Sequence, residues 1–290
     1  MLRVCDWIRI TCVLATCFIF LLNAAQALSI HSKKARETSR FLEPLSVEEA
    51  NAQIALLRSY QQIESCKIAF DFIHRTEGSA EPTKIEGVLL IASINQQIFK
   101  RLFLIDEQGD ILVDYIFHEG QESKAWKRLD GQNVFRLLNE DEIFSQLYKG
   151  ILFRPVDVLM PYIHWQNYTY EGPQAYGVRS VVQDFLFSAE NQSNFLSQGI
   201  TSVRLSIDSK YNSARKIEYL NNSDVLNQLQ ISGVKKFENL WIISRLVLKE
   251  KNSKTIFRVK DASVLLEDNL LLFFDPSFQK KISKHLFFDQ

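Results

Sequence analysis

Residues 98–117 read IFKRLFLIDEQGDILVDYIF, and this stretch decides the fold class. Two runs of large apolar residues, 98–105 and 111–117, are separated by the polar segment 106–110. So short a connection joins antiparallel strands, because parallel strands need a crossover of a dozen or more residues. Both runs carry apolar side chains at odd and even positions, whereas a strand with one wet face alternates. The stretch predicts an antiparallel hairpin covered on both faces, by helices, by more sheet, or around an apolar cavity.

Further strand-like runs lie on both sides of this hairpin. They are bounded by Gly-, Asp-, Asn- and Gln-rich turns, and no strand–helix–strand alternation is visible. About eleven strands in this pattern predict a mainly antiparallel β fold. The predicted strands are 66–73, 84–93, 98–105, 111–117, 124–129, 179–189, 200–208, 214–221, 225–235, 240–250 and 254–266.

Two or three helices are predicted. Ser46 and Glu49 form a capping-box pattern at the start of a segment with apolar residues at helical spacing, which predicts a helix over 46–62. Shorter helices are predicted within 142–148 and over 155–160, where Pro155 takes the first helical position. These segments are the candidates for covering the sheet.

The stretch MPYIHWQNYTYEG, residues 160–172, is unusually rich in aromatic side chains. It follows a predicted helix and leads into strand-like alternation at Tyr168 and Tyr170. We interpret it as a helix-to-strand corner whose aromatic residues, Trp165 among them, pack near the mouth of a cavity. His164 is interpreted as a structural histidine rather than a catalyst.

The amino-terminal segment has the features of a secretory signal peptide. Arg3 and Arg9 precede an apolar run of 13 residues, 10–22, and small residues follow at Ala25 and Ala27. This run is short of the roughly 20 residues that span a membrane. We expect residues 1–27 to be a signal peptide cleaved after Ala27, residues 28–45 a flexible lead-in, and residues 46–290 one β domain with a helical lid.

Charge and cysteine content argue against a nucleic-acid-binding protein and against a disulfide-stabilised one. Cleavage after Ala27 would leave 32 basic and 33 acidic residues, and this balance argues against a nucleic-acid partner. Cys66 would be the remaining cysteine, so no internal disulfide is expected, and its predicted role is apolar packing. No cofactor is predicted.

Motifs for catalysis or metal binding are lacking. The histidines at 31, 74, 118, 164 and 285 are scattered without metal-ligand spacing, and no Gly-x-Ser-x-Gly motif is present. Asp106, Glu107 and Asp110 flank a turn glycine and are explained as solvated loop carboxylates. We therefore predict no catalytic residue, no metal site and no enzyme activity.

The apolar content leaves two interpretations of the interior open. The chain contains 21 Phe and 46% hydrophobic residues. This supply suits a large filled core, and it also suits a sheet that curls around an apolar ligand. Periodicity alone favours the filled core.

Residues 140–278 resemble the LolA-like family of outer-membrane lipoprotein-sorting proteins. The resemblance lies in PVDVLMPYIHWQNYTYEGPQAYGVRSVVQDFLF at 155–187, KKFENLWIISRLVLKE at 235–250, and the closing LLFFDPSFQ at 271–279. It implies a curved, unclosed β-barrel with helices over its concave face and a cavity for acyl chains. One departure concerns the basic residue beside a proline that ends the second strand in the better-known carriers. Residues 92–97 read ASINQQ, and only Lys100 and Arg101 on the next strand are substitutes.

The resemblance implies a periplasmic, non-enzymatic carrier of lipid or lipoprotein acyl chains in envelope biogenesis. Its expected partners are these chains and envelope membrane proteins, and we expect a monomer. A regulatory module that senses lipid or envelope stress is an alternative, as is an envelope enzyme without a recognisable motif. We expect the apolar cavity to be lined by residues of the early strands and the aromatic corner. At least one of the sets Phe70/Phe72 and Leu102/Leu104 is expected on the concave side beneath the helix Ser46–Gln62. The predicted ligand-binding residues are Phe70, Phe72, Leu89, Ile91, Leu102, Leu104 and Trp165.

Overall fold

The computed structural model describes residues 43–58, 65–79, 81–94, 97–120, 122–129, 134–177, 180–210, 213–237, 240–265 and 270–277. The predicted signal peptide, the lead-in up to residue 42 and the predicted end of the first helix at 62 lie outside these residues.

Thirteen strands form one antiparallel sheet with the spatial order β6-β5-β4-β3-β2-β1-β13-β12-β11-β10-β9-β8-β7. The predicted class, a mainly antiparallel and unclosed barrel, is confirmed. Each strand pairs with the next one along the chain, except that β6 and β7 lie at the two edges of the sheet. The first and last strands, β1 and β13, pair with each other. The strands are β1 Cys66–Thr76, β2 Thr83–Ile94, β3 Gln97–Ile105, β4 Ile111–Glu119, β5 Lys124–Leu129, β6 Arg136–Leu137, β7 Tyr168–Tyr176, β8 Ser180–Ser188, β9 Ser202–Asp208, β10 Ala214–Asn221, β11 Asp224–Phe237, β12 Leu240–Glu250 and β13 Ser253–Val264.

The two strands missing from the predicted set of about eleven are β6 and β7, the edges of the sheet. The first has two residues, too few for a visible alternation. The second contains Gly172 and Pro173, which weaken a strand signal. Proline lacks the N–H that a central strand needs, so an edge is where a strand tolerates it.

The helices are short, apart from the first. They are α1 Val47–Arg58, α2 Pro155–Leu159, α3 Ser193–Ser197 and α4 Leu270–Phe274, with single 3-10 turns at Glu142–Phe144 and Pro161–His164. The predicted capping box is confirmed, because the Ser46 amide donates to Glu49 Oε2 at 2.8 Å and the Glu49 amide donates to Ser46 Oγ at 3.2 Å. The sequence did not predict α3 or α4, and the helix predicted within 142–148 is one 3-10 turn.

Both faces of the hairpin at 98–117 are covered, as predicted. On the concave face, apolar side chains of most of the strands form the main core together with Ala50 and Ile54 of α1 and with residues 144–165. On the convex face, a smaller core joins Val88, Leu90 and Phe103 to Phe274 of α4. Helical segments, rather than a second sheet, cover each face.

Gly87 shows how closely the concave core is packed on β2. It pairs directly with Phe70 of β1. A Cβ at this position would lie 2.4 Å from Phe70 Cζ and 2.7 Å from the Phe103 carbonyl oxygen. Glycine is therefore required here so that the Phe70 ring can lie over the strand.

Candidate functional site

All seven predicted ligand-binding residues lie in the concave core. Their exposed fractions run from 0 to 8%, so each is buried. Phe70 and Phe72 come from β1, Leu89 and Ile91 from β2, and Leu102 and Leu104 from β3. Trp165 belongs instead to the aromatic corner after the turn Pro161–His164. Whether the seven bind a ligand stays a prediction.

The Phe72 ring is covered by the segment after the 3-10 turn Glu142–Phe144 and by β13. The Phe72 ring packs on Phe153, with the ring centroids 5.0 Å apart, and on Phe257 of β13 at 5.7 Å. By contrast α1 is held by the aromatic corner and β7, because Arg58 Nε donates to the Ile163 carbonyl at 2.7 Å and Tyr168 Oη donates to Asn51 Oδ1 at 2.7 Å. The sequence could not assign this cover, because the helix over 46–62 and the segment 147–160 both offered apolar faces.

We call residues 147–160 the central cover. Polar side chains of the sheet bind its backbone at several points. Tyr115 Oη donates to the Leu147 carbonyl at 2.8 Å, the Leu152 amide donates to Thr255 Oγ1 at 3.0 Å, and Lys100 Nζ donates to the Val158 carbonyl at 2.8 Å. These hydrogen bonds act together with the buried apolar side chains of the segment, which belong to the main core.

Lys100 and Glu119 form a fully buried ion pair under the central cover. Their N–O distance is 2.5 Å and both side chains are 0% exposed. His164 Nε2 lies 3.9 Å from the other oxygen of Glu119. Of the two proposed substitutes for the basic residue of the carriers, Lys100 thus points into the concave core. Arg101 points to the convex face and binds Asp114 in a bidentate pair at 3.0 and 2.7 Å.

Asp157 is an acidic group inside the central cover. Its Oδ2 accepts a hydrogen bond from the Arg154 amide at 2.9 Å, which caps α2. Burial raises the pKa of this carboxyl, and the nearby Arg154 charge opposes the rise. Burial therefore opposes the ionisation of a carboxyl group that caps α2 within the central cover.

A cavity of about 610 Å³ lies where the central cover meets the aromatic corner. Its apolar wall consists of Ile143, Leu159, Pro161, Trp165 and Phe195. The rings of Trp165 and Phe195 meet edge to face, 4.7 Å apart. Leu159 and Trp165 also belong to the main core, so the cavity adjoins the predicted site. Its volume falls within the range of about 300–1,000 Å³ that is usual for small-molecule pockets.

The other residues that line the cavity are polar, and we call them the polar wall. It consists of Glu122, Ser123, His164, Gln166, Gln192 and Asn194. Ser123 belongs to the turn between β4 and β5, and Gln192 and Asn194 to the connection between β8 and β9. These two connections lie at opposite ends of the antiparallel sheet, and residues of both line the cavity beside the aromatic corner; we call this cavity the mouth.

The stretch at 160–172 is the predicted corner. Met160 adopts a left-handed conformation at φ 45° and ends α2, and the 3-10 turn that follows leads into β7. Tyr162 is fully buried in the core, whereas Trp165 reaches the cavity. The interpretation as a helix-to-strand corner with aromatics near the mouth is confirmed.

Sequence reasoning missed two aromatic residues of this region. Phe153 covers Phe72, and Phe195 forms part of the cavity wall. Phe195 sits in α3, a five-residue helix inside a predicted loop. A phenylalanine amid the polar residues NQSN and SQG at 191–199 was the available signal.

Among the described residues, no group of three or more His, Cys, Asp or Glu side chains is placed to hold a metal ion. Cys66 is a buried thiol in the concave core, where it packs as predicted. No helix in the described part of the chain is long and apolar enough to cross a membrane.

Solved structures show which proteins share this fold. A DUF1329 family protein from Desulfovibrio piger superposes with a TM-score of 0.67 at 10% identity over 81% of this chain and 99% of its own. An outer membrane lipoprotein-sorting protein domain from Vibrio parahaemolyticus gives 0.63 at 12% identity over 77% and 94%. A LolA superfamily protein from Nitrosomonas europaea gives 0.55 at 8% identity over 78% and 97%.

No family model matches the sequence, and no curated protein matches it. At these low identities the likeness concerns the fold alone. The resemblance noted in the sequence is thereby confirmed for the architecture: the chain has the LolA-like fold, an open antiparallel half-barrel with helical segments over its concave face.

Proposed function

We propose that this protein is a non-enzymatic carrier that binds the acyl chains of lipids or lipoproteins in its half-barrel. The observation that carries the proposal is the continuity between the cavity and the concave core. Leu159 and Trp165 line the cavity and also pack in the core that contains Phe70 and Phe72. An acyl chain entering at the mouth therefore meets Leu159 and Trp165, which belong to the same apolar core as Phe70 and Phe72.

Binding in the core requires the central cover to move. Phe72 and Phe153 are in contact, so a chain that reaches Phe72 has to displace Phe153. The apolar area that the cover buries is then buried against the ligand instead, which keeps the exchange close to balanced in free energy. The hydrogen bonds at Leu147, Leu152 and Val158 set the cost of opening.

The place of action in this proposal is the periplasm. The solved neighbour from Vibrio parahaemolyticus is named as an outer membrane lipoprotein-sorting protein domain. A soluble carrier between membranes needs export, which the predicted signal peptide at residues 1–27 supplies. Amino-terminal sequencing of the exported protein is expected to start at Leu28.

Native mass spectrometry of the protein purified from its own envelope tests the proposal. We expect a population with the mass of the polypeptide plus one acyl lipid, released on denaturation. A population with the bare polypeptide mass, in a protein that also fails to bind apolar probes, would contradict it. Stable co-purification with one membrane protein and no lipid would favour the sensing module instead.

A further inference from the structure

The residues that line the mouth indicate which head group the ligand carries, an inference that rests on the proposed carrier function. Its polar wall is nearly uncharged. Of the described residues that line it, Glu122 is the one carboxylate, His164 is the one imidazole, and none is Lys or Arg. The Glu122 side chain is 86% exposed, so its charge lies at the outer edge of the cavity.

The remaining polar groups of this wall are amides and a hydroxyl. Within the described residues the Gln192 side chain makes no hydrogen bond. Asn194 Oδ1 accepts a hydrogen bond from the Phe195 amide at 3.0 Å, so the side-chain N–H₂ group of Asn194 is the part that can donate to a ligand. Ser123 Oγ donates to the Gly120 carbonyl at 2.9 Å and accepts from the Gly120 amide at 3.4 Å, which leaves one acceptor lone pair. Such groups suit esters, hydroxyls and amides.

Cations beside the cavity are bound to other groups. Arg58 Nε and Nη2 donate to the Ile163 and Trp165 carbonyls at 2.7 and 2.6 Å. Lys100 is buried behind the cavity, bound to Glu119 and to the Val158 carbonyl. Lys124 lies outside the lining and pairs with Glu122 at 3.4 Å. An anionic head group in the cavity would lose hydration without gaining an ion pair, and this cost is large for an isolated carboxylate or phosphate.

We propose that the mouth selects acyl ligands with an uncharged polar head, such as a glycerol ester, over ligands with an anionic head. The acyl chain extends from the apolar wall at Trp165 towards the core, and the head stays between Gln192, Asn194 and Ser123. A glycerolipid and an acylated lipoprotein terminus share this chemistry.

Displacement of N-phenylnaphthylamine, an uncharged apolar probe, tests the selectivity on the intact exported protein. The competitors are monolauroylglycerol and laurate, which share one acyl chain and differ in head-group charge at neutral pH. Both are used below their micelle concentrations. We expect monolauroylglycerol to displace the probe at least about 5-fold more effectively, which corresponds to the upper end for a single exposed charge interaction.

Laurate and monolauroylglycerol also differ in properties other than head-group charge. Comparing their displacement ratio between two charge variants cancels these other differences. Gln192→Lys places a cation in the polar wall, and we expect it to shift the laurate-to-monolauroylglycerol ratio about 5-fold towards laurate. Gln198→Lys is the matched control, because Gln198 lies at the end of the same helix, is exposed and does not line the cavity. It is expected to leave the ratio unchanged.

The outcomes separate this inference from the carrier function. Stronger displacement by laurate in the unmodified protein, or equal ratios in Gln192→Lys and Gln198→Lys, overturns the selectivity and leaves the carrier function standing. Failure of the probe and of both competitors to bind overturns both.

A second pair of ligands distinguishes the two sources of an uncharged head. Dilauroylglycerol represents a lipid, and a neutral peptide that begins with N-acyl-S-diacylglyceryl cysteine represents a lipoprotein. Tighter binding of the lipopeptide identifies a lipoprotein terminus, and binding of dilauroylglycerol alone identifies a glycerolipid. Binding of either supports the selectivity for an uncharged head, and exclusion of both while laurate binds contradicts it.

Discussion

On each face of β3 a basic side chain binds the backbone of the segment that covers that face. On the concave face Lys100 binds Glu119 of β4 and donates to the Val158 carbonyl of the central cover. On the convex face the next residue, Arg101, binds Asp114 of β4 and donates to the Phe273 carbonyl of α4 at 2.6 Å. Adjacent basic residues thus hold one covering segment on each side of the sheet.

The faces differ in how far their apolar surface extends. The concave core draws on nearly all of the strands, whereas the convex core is confined to β2, β3 and the carboxy-terminal helical segment. Elsewhere the convex face carries ion pairs, for example Asp71 with Arg258 at 2.7 Å and Arg204 with Glu171 at 2.6 Å. The convex patch therefore has the size of one short helix, while the concave core runs across nearly all of the strands.

The largest expected effect comes from Phe72→Ala on the concave face. Phe72 is 1% exposed and touches Phe70, Phe153 and Phe257. Its truncation is expected to lower the free energy of unfolding by about 4 kcal/mol, since it removes buried contacts and leaves a void. Probe binding is also expected to weaken. Urea unfolding and titration with N-phenylnaphthylamine measure the two effects, and unchanged probe affinity would argue against ligand binding at Phe72.

Glu119→Ala removes the acidic partner of Lys100, the residue that donates to the Val158 carbonyl of the central cover. It leaves the Lys100 ammonium buried without its carboxylate, which is expected to cost about 3 kcal/mol in unfolding free energy. The matched control is the double variant Lys100→Met/Glu119→Leu, which removes both charges and is expected to recover most of the loss. A double variant as unstable as Glu119→Ala would mean that the pair itself, rather than an uncompensated charge, dominates.

Phe274→Ala provides the convex counterpart of Phe72→Ala. Phe274 is 2% exposed and lies against Phe99, with a centroid distance of 6.1 Å. We expect a loss of about 2–3 kcal/mol from its burial, with probe affinity unchanged. Weakened probe binding in this variant would contradict the proposal that the ligand binds on the concave face alone.

Much of this arrangement could be predicted from the sequence. The hairpin at 98–117, the capping box at Ser46 and the aromatic corner each depend on local spacing, and the structure confirms all three. The side of the sheet on which each apolar set lies could not be predicted. Phe103 and Leu102 look alike in sequence, yet one belongs to the convex core and the other to the concave core.

The covers were harder to predict than the strands. The central cover has too few residues in regular structure to show a period, and α4 has five residues. The burial of Lys100 could not be foreseen either, because its partner Glu119 becomes adjacent only through the register of β3 and β4. These features arise from long-range packing, which local patterns do not encode.

Gly87→Ala tests the close packing of the concave face without removing atoms. The added methyl group would collide with Phe70 and with the Phe103 carbonyl, so we expect a loss of about 1–2 kcal/mol. The double variant Gly87→Ala/Phe70→Leu is expected to be less destabilised than the sum of the two single variants. Additive losses in thermal unfolding would show that the ring and the methyl group do not compete for space.

The smallest effect is expected at the rim, where Glu142 precedes the central cover. The Arg136 guanidinium and the Asn139 amide lower the pKa of Glu142 to about 2. A lowered carboxyl pKa stabilises the fold above the unfolded value of about 4.3, and this contribution is lost as the pH falls from about 4 to 2. For an exposed pair we expect at most about 1 kcal/mol. Glu142→Gln should flatten the stability profile in this window, and an unchanged slope would contradict the assignment.

Photo-crosslinking tests most directly whether the concave face takes the acyl chain. A monoacylglycerol with a diazirine at the end of its chain is bound to the protein, irradiated, and located by peptide mass spectrometry. We predict labelling of β1 around Phe70–Phe72 and of Phe153 in the central cover, with competition by monolauroylglycerol. Labelling confined to Phe99, Phe103 and α4 on the convex face, or none that competitor removes, would contradict the account.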